Sequence, residues 1–221
     1  MSQSTTKEPL HTELANAKSA LKAKKAFEAE RIALSVLETA RSSCDFMSMC
    51  KALPILRDAR VLRVEAALNA ADGIRVLESR LEEGQVVEPG CYLVEPPHVG
   101  ADARNLRLAA LEQEVPVAII CREPLTQMQL RPIVAIGRIT VRARVLPADD
   151  DASPDLDWFL AAMNEIGETA IESLDTGAAI LKQIDGLMDR LDSIPDHPRL
   201  HDALEEICQI ADSAQEPEAR D

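Results

Sequence analysis

Two short, uninterrupted runs of apolar residues, separated by a segment with helical spacing, form the clearest pattern along the chain. The runs cover residues 91–94 and 117–121. Uninterrupted apolar runs of this length are typical of strands that are covered on both faces, and the segment between them is long enough for a helix connecting parallel strands. The middle of the chain is therefore predicted to hold a strand–helix–strand unit, with a turn at residues 95–100 after its first strand.

Two further apolar runs extend the predicted sheet. They cover residues 133–136 and 139–145 and are separated by Gly137 and Arg138. Glycine in the first position of a two-residue connection predicts a type II′ hairpin. The second run alternates apolar and polar residues, which predicts a strand with one buried face. Residues 74–77 fit either a last helical turn or a first strand, and we favour the strand.

Helical periodicity surrounds this sheet on both sides along the sequence. Residues 10–42 have apolar positions with the spacing of a helical hairpin, and a third helix is predicted from Asp45 to Gly73, kinked or restarted at Pro54. After the sheet, Ser153 is predicted to cap a helix with Pro154 in its first position, and two more amphipathic helices follow. The predicted fold class is an α/β core, a small mixed sheet with a strand–helix–strand unit, flanked by an N-terminal helical hairpin region and a C-terminal three-helix segment.

Composition shifts along the chain predict the domain boundaries. The predicted segments are a flexible arm (1–8), a helical region (9–73), a small α/β domain (74–147), a linker (148–154), an acidic helical cap (155–213) and a disordered tail (214–221).

Residues 27–32, with the sequence Phe-Glu-Ala-Glu-Arg-Ile, resemble the second helix of a tetratricopeptide repeat. In that repeat an aromatic residue is followed by a similar stretch, and a small residue packs against the first helix. The resemblance covers residues 10–42. It implies a tetratricopeptide-like helical hairpin used for contact with another protein.

The net charge of −14 is concentrated in the last third of the chain. Residues 148–221 contain 4 Lys and Arg against 20 Asp and Glu, whereas residues 1–80 contain 13 against 10 and residues 81–147 contain 7 against 8. Such an acidic segment repels phosphate backbones, and few aromatic residues are present for base stacking. Nucleic acid is therefore not a predicted partner.

Three arginines, Arg138, Arg142 and Arg144, follow the polar side of the last predicted strand. Together with Arg131 they would suit either an anion-binding groove or salt bridges with the acidic residues that follow. We favour the internal pairing and expect the acidic cap to dock on this arginine face, because the acidic residues are the nearest partners along the chain.

Neither a membrane span nor a secretory signal is predicted. The chain has no uncharged apolar run of about 18 residues, and its N-terminus is polar. The five cysteines are odd in number and never spaced as Cys-x-x-Cys, so neither a disulfide framework nor a zinc knuckle is expected. Cys91 and Cys121 are predicted to be buried strand thiols. The predicted location is the cytoplasm.

The strongest candidate site lies where the two central strands end. In open α/β sheets, ligands bind beyond the carboxyl ends of the strands. If the strands are parallel neighbours, an acid or base, an imidazole and a guanidinium would converge there. The candidate ligand-binding residues are Glu95, His98, Asp102, Arg104, Arg122 and Glu123. In the alternative interpretation the prolines shape two turns, Asp102 complements a helix dipole, and Arg122 pairs with a nearby carboxylate.

No cofactor or metal site is predicted. The turn after the first central strand has one glycine, Gly100, and no Lys-Ser or Lys-Thr pair, unlike nucleotide-binding loops. On the last helix His197, His201, Glu205 and Cys208 are spaced over about 16 Å, which is too long for one tetrahedral metal ion.

Two function classes follow from these patterns. The favoured one is a non-catalytic protein–protein interaction or adaptor module whose partner is another protein. The alternative is a small-ligand-binding or enzymatic α/β domain that uses the carboxyl edge of the sheet. Both remain open at the level of the sequence, and no catalytic residues are assigned.

Overall fold

The protein was analysed as a computed structural model, which describes residues 4–82 and 84–215. The described chain contains seven helices and five strands. In chain order they are α1 (Ser4–Lys22), α2 (Ala26–Ser42), α3 (Phe46–Ala70), β1 (Ile74–Val76), β2 (Gly90–Val94), α4 (Gly100–Glu112), β3 (Val117–Arg122), β4 (Arg131–Ile136), β5 (Thr140–Val145), α5 (Leu156–Glu172), α6 (Ile180–Ser193) and α7 (Pro198–Gln215). The predicted α/β fold class, with flanking helices on both sides along the chain, is confirmed.

The five strands form one mixed sheet in the order β1-β2-β3-β4-β5. β1, β2 and β3 are parallel, and β4 and β5 continue the sheet antiparallel. The strand–helix–strand unit is confirmed, because α4 joins the parallel neighbours β2 and β3. The ambiguous segment at residues 74–77 is a strand over Ile74–Val76, as favoured from the sequence.

Contacts group the chain into two compact units. The helical unit comprises Met1–Leu62, Asp175–Met188 and Pro198–Asp221, and the sheet unit comprises Arg63–Leu174 and Asp189–His197. Each unit is thus assembled from separate stretches of sequence, whereas the boundaries predicted from composition are contiguous. The predicted acidic cap is divided accordingly: α5 belongs to the sheet unit and α7 to the helical unit.

Helix α4 covers one face of the sheet. Its residue Ala103 packs against a cluster formed by Val94, Cys121 and Val134, and its Leu106 and Ala110 pack with Val117. Helix α5 contacts β3, β4 and β5. Since the buried residues of β5 alternate with exposed arginines, α5 covers the apolar face of this strand. Residues of β2 and β3 are buried on both faces of the sheet, which explains their uninterrupted apolar sequence.

Among the described residues, the acidic helices meet the predicted arginine face at Arg138 and leave Arg142 and Arg144 exposed. Arg142 is 59% exposed and pairs with Glu123 at 3.2 Å, and Arg144 is also exposed. Arg138 lies 3.8 Å from Asp189, an acidic residue from the last third of the chain. Helix α5 packs on the apolar side of β5 and not on its arginine side. Burial of Val141 and Ala143 contributes more to stability than exposed ion pairs with the arginines would.

The connection between β4 and β5 differs from the predicted two-residue hairpin. Ile136 pairs with Thr140, so three residues form the loop, and the Gly137 N–H donates to the Ile139 carbonyl at 3.0 Å. Gly137 is not needed for a positive φ. A Cβ at this position would lie 2.5 Å from a carboxylate oxygen of Asp192 and 2.6 Å from the backbone of Ser193, so the glycine permits a close approach.

The helix termini agree with the sequence in part. Asp45 precedes α3 and accepts a hydrogen bond from the Ser48 N–H at 3.1 Å, as predicted. Pro54 lies inside α3, which continues through it. The predicted cap of α5 at Ser153 is wrong: Asp155 is the N-cap and accepts from the Trp158 N–H at 2.8 Å. The carboxylate of Asp155 provides the stronger acceptor near the positive helix end, which favours the later start.

In the helical unit, α1 and α2 form the predicted hairpin. The apolar stripe of α1, with Leu10, Leu14 and Ala17, is buried, and Ala29 and Ala33 of α2 are fully buried. Small residues allow the two helices to approach closely. Helix α1 begins at Ser4, within the segment predicted as a flexible arm, and residues 1–3 and 216–221 of the predicted arm and tail lie outside the described residues.

Candidate functional site

The carboxyl ends of β2 and β3 lie side by side, as the candidate site requires. Val94 of β2 is paired in register with Cys121 of β3 in the parallel part of the sheet. The next residues along the two strands, Glu95 and Arg122, therefore meet at the same edge. This arrangement follows from the parallel pairing, which places both strand ends on one side.

Arg122 is the centre of an ion-pair cluster at this edge. Its side chain is 5% exposed and lies 2.6 Å from a Glu95 carboxylate oxygen and 3.2 Å from Asp151. The guanidinium also lies 5.9 Å from the centre of the Trp158 ring. Two carboxylates and an aromatic face compensate for burial of the charge, so Arg122 is not available as an anion receptor. The interpretation in which Arg122 pairs with a nearby carboxylate describes this geometry.

Arg131 extends the cluster on β4. It pairs with Asp151 and donates to the Glu123 carbonyl at 3.1 Å. Burial, and secondarily the positive charge of Arg122, lowers the pKa of Arg131 from its ordinary value. Asp151 lies between the two arginines, so one carboxylate from the predicted linker holds the ends of β3 and β4 together.

His98 and Asp102 lie at the entry to α4. The His98 Nδ1 atom is 3.9 Å from an Asp102 carboxylate oxygen, beyond hydrogen-bonding distance. Asp102 instead accepts a hydrogen bond from the Val99 N–H at 2.9 Å and lies 3.4 Å from Arg80. Its carboxylate thus serves the helix N-terminus, as the alternative interpretation from the sequence describes.

A cleft of about 560 Å³ opens at this edge, between the α4 entry and the loop that joins β3 to β4. His98, Arg122 and Glu123 line it, together with the apolar residues Pro96, Pro124 and Leu125. Of the other candidate residues, Glu95 pairs with Arg122 and Asp102 lies beside His98. We call this feature the edge cleft.

Exposed apolar side chains lie along one rim of the edge cleft. Val99 and Leu125 line the cleft and are 53% and 38% exposed, and Met128, which is 74% exposed, follows Leu125 in the β3–β4 loop. We call these three residues the rim. Large apolar side chains on one rim of a cleft are typical of an interaction surface. Sequence reasoning missed this rim because Leu125 and Met128 lie in an irregular loop, where periodicity carries no information.

Arg104 does not belong to the edge cleft. It lines a second cavity in the sheet unit, bounded by α4, α5, β3, β4 and residues 193–197. Its Nε atom is buried and has no hydrogen-bond partner among the described residues. The structure therefore divides the six candidate residues between two places.

The segment at residues 193–197 is fixed against the sheet unit by several contacts. Arg107 donates to the backbone carbonyls of Asp192 and Ser193, both at 2.8 Å. His197 is buried, lies 3.1 Å from Glu168, and packs on Gly167. No sequence pattern predicts these contacts, apart from the two glycines, Gly137 and Gly167, at which residues 192–197 approach closely.

Cys121 contributes to the wall of the edge cleft but has the character of a buried thiol. It is 2% exposed, and burial, reinforced by the negative charges of Glu123 and Asp102, raises its pKa to about 12. Burial likewise raises the pKa of Cys91. At neutral pH both side chains carry the proton, which makes them poor nucleophiles. The predicted burial of both cysteines is confirmed.

We expect thiol labelling of the native protein at pH 8 to distinguish these cysteines. Cys44 and Cys50 are partly exposed, and a hydrogen bond from Cys208 lowers the pKa of Cys50. They should react within minutes, whereas Cys91 and Cys121 should react only after unfolding in denaturant. Mass spectrometry of labelled peptides measures the difference. Equal native labelling of Cys50 and Cys121 would contradict the placement of β3.

The described residues contain no group of three or more His, Cys, Asp or Glu side chains arranged to hold a metal ion. Among the helices of the described chain, none combines the length and apolar character needed to cross a membrane. Comparison with protein-family models, with curated proteins and with solved structures finds no match for the chain.

Proposed function

We propose that the protein is a non-catalytic interaction module that binds an apolar segment of another protein in its edge cleft. The observation that carries this proposal is that the exposed residues Val99 and Leu125 line a cleft of about 560 Å³, with the exposed Met128 in the same loop as Leu125. Burial of such side chains by a partner is favourable by about 25 cal/mol per Å² of apolar surface. We place this activity in the cytoplasm, as predicted from the sequence.

The polar groups of the edge cleft suit positioning of a chain better than chemistry. Arg122 is already paired with two carboxylates, and Cys121 carries its proton at neutral pH. His98 lies too far from Asp102 for that carboxylate to orient its ring. These groups can form hydrogen bonds with a bound chain at the wall of the edge cleft, and burial of the apolar rim provides the driving force for binding.

The N-terminal hairpin offers a less suitable surface for apolar docking. Among the described residues between 10 and 46, no large hydrophobic side chain is exposed, and Leu10 and Leu14 are buried. The exposed face of α1 carries lysines instead. The tetratricopeptide-like interpretation of this hairpin stays a prediction, and the edge cleft is the surface we favour.

Selection of a displayed peptide library against the purified full chain tests the proposal. We expect enrichment of peptides with two or more large apolar residues, because the rim presents three apolar side chains. A variant with Val99→Ser, Leu125→Ser and Met128→Ser should bind the enriched peptides at least about tenfold more weakly, since each lost apolar contact removes roughly 1 kcal/mol or more. Fluorescence anisotropy of labelled peptides measures the dissociation constants.

A matched variant controls for general loss of surface hydrophobicity. Val86, Leu181 and Ile210 are 78%, 43% and 56% exposed and do not line the cleft. Replacing all three with serine should leave peptide binding unchanged. Equal binding of the enriched peptides to the cleft variant and to this control would contradict the proposal.

The alternative function, a small-ligand site at the same edge, is supported by the presence of His98, Arg122 and Glu123 in one cleft. It predicts a small-molecule thermal shift that is lost when His98 and Arg122 are both changed to alanine. Such a shift, without peptide enrichment, would favour this alternative over protein binding.

A further inference from the structure

The sheet is open between β3 and β4, and the second cavity lies in this opening. Only Cys121 with Val134 and Arg122 with Ile133 are paired between the two strands, although each strand has six residues. The register would place Ile119 opposite Ile136, and no pair forms there. Residues from both faces of the sheet line the cavity for this reason, including Ile119, Ile120, Ile133 and Val134.

Backbone groups face this opening. The Glu123 N–H donates to the Pro132 carbonyl at 2.9 Å on the β4 side. Because alternate residues of a strand direct their N–H and C=O groups to the same side, Ile119 directs its own groups toward β4. Ile119 is not paired with a residue of β4, so its backbone N–H and C=O groups contribute to the wall of an otherwise apolar cavity.

The cavity also contains a cationic side chain, Arg104, whose buried Nε–H group has no acceptor among the described residues. Arg107 donates to two carbonyls, and His197 pairs with Glu168. Asp196 is held 2.7 Å from Arg63. Arg104 differs from these neighbours: among the described residues no hydrogen bond or ion pair to its side chain is found, and its Nε atom is buried. A buried guanidinium donor without an acceptor is costly, and a carboxylate is its natural complement.

The size and lining of the cavity restrict the rest of the ligand. Its volume is about 70 Å³, so it has room for a ligand of only a few heavy atoms. Ile119, Ile133, Met163 and Ile166 provide an apolar lining next to the Arg104 end. A ligand with one anionic end and a short apolar body satisfies both parts of the wall.

We propose that this cavity binds a small monocarboxylate with an unbranched or branched apolar chain, whose carboxylate accepts hydrogen bonds from Arg104. The apolar chain lies against the residues of β3, β4 and α5 that line the opening in the sheet. The site adjoins the edge cleft, because Gly100 and Cys121 line both, but its ligand differs from the peptide proposed for the cleft. Occupancy would fill the gap between β3 and β4 and stabilise the sheet unit by mass action.

Isothermal titration of the full chain with butanoate tests this proposal, with butanamide and butylamine as neutral and cationic probes of similar length. We expect saturable binding of butanoate and at least about tenfold weaker binding of the other two, because only the carboxylate provides a charge-assisted acceptor for Arg104. Arg104→Gln should weaken butanoate binding about tenfold or more, and Arg104→Lys should weaken it less.

Two further variants locate the site. Ala103→Leu adds volume to the cavity wall and should reduce butanoate affinity, provided that the unliganded variant melts as one cooperative transition. Arg142→Gln changes an exposed arginine outside the cavity and should leave affinity unchanged. Absence of saturable butanoate binding, or equal affinity for wild type and Arg104→Gln, would overturn the proposal.

Discussion

Replacing Arg60 with methionine is expected to lower the free energy of unfolding by about 3–5 kcal/mol, the usual result of removing one member of a buried charge pair. Arg60 is 6% exposed, donates to Glu30 at 2.8 Å, and lies 3.2 Å from the Nε2 atom of His201. Glu30 and His201 are 6% and 1% exposed. Methionine fills much of the same volume but removes the guanidinium that the buried Glu30 carboxylate pairs with. Urea denaturation measures the loss.

Arg57 provides a control on the same helix. It pairs with Asp202 at 2.6 Å, but the two side chains are 31% and 44% exposed. Arg57→Met should therefore cost only about 0–1 kcal/mol, as exposed ion pairs usually do. The double change of Glu30→Leu with Arg60→Met should regain part of the loss, because it removes both buried charges. Equal effects of Arg57→Met and Arg60→Met would contradict this account of the helical unit.

Gly167→Ala is expected to destabilise the sheet unit by about 1–3 kcal/mol or more, the range for overpacking a filled site. A Cβ at position 167 would lie 2.1 Å from the His197 ring, which is itself buried and paired with Glu168. Neither side can yield without moving residues 193–197 or α5. Thermal unfolding followed by circular dichroism measures the effect.

The matched change is Gly177→Ala, where the nearest atom to an added Cβ is an Asp175 carboxylate oxygen at 3.4 Å. It should be neutral or stabilise by up to about 1 kcal/mol, because alanine restricts the unfolded chain. In the Gly167→Ala background, His197→Ala should cost much less than it does alone, since it removes the clash. Additive effects of the two changes would show that Gly167 and His197 do not contact each other.

Local pattern was sufficient to predict the strands and helices but not how they group. The apolar runs of β2 and β3 predict enclosed parallel strands because both faces are covered. The grouping of α7 with α1, α2 and the first part of α3, by contrast, depends on contacts such as that of Arg60 with His201, which are distant in sequence. The loop after Ile136 was predicted wrongly because Gly137 permits close approach of Ser193, not a positive φ.

The candidate site was predicted in position but not in composition. The rule that ligands bind beyond strand ends brings Glu95, His98 and Arg122 to one edge, as the parallel pairing requires. Asp151 and Trp158, which neutralise and cover Arg122, come from a later part of the chain, and no spacing rule connects them to it. Arg104 was assigned to this edge because it is only two residues from Asp102, yet it lines the second cavity.

The most direct test of the proposed function is mapping of amide chemical shifts in the labelled full chain during titration with a library-selected peptide. Our account predicts that the largest shift changes fall in residues 96–100 and 121–132, which form the edge cleft and its rim. Residues 10–42 should change little. Largest changes in residues 10–42, or a peptide that saturates the protein without shifting the cleft amides, would contradict the claim that the edge cleft binds the partner.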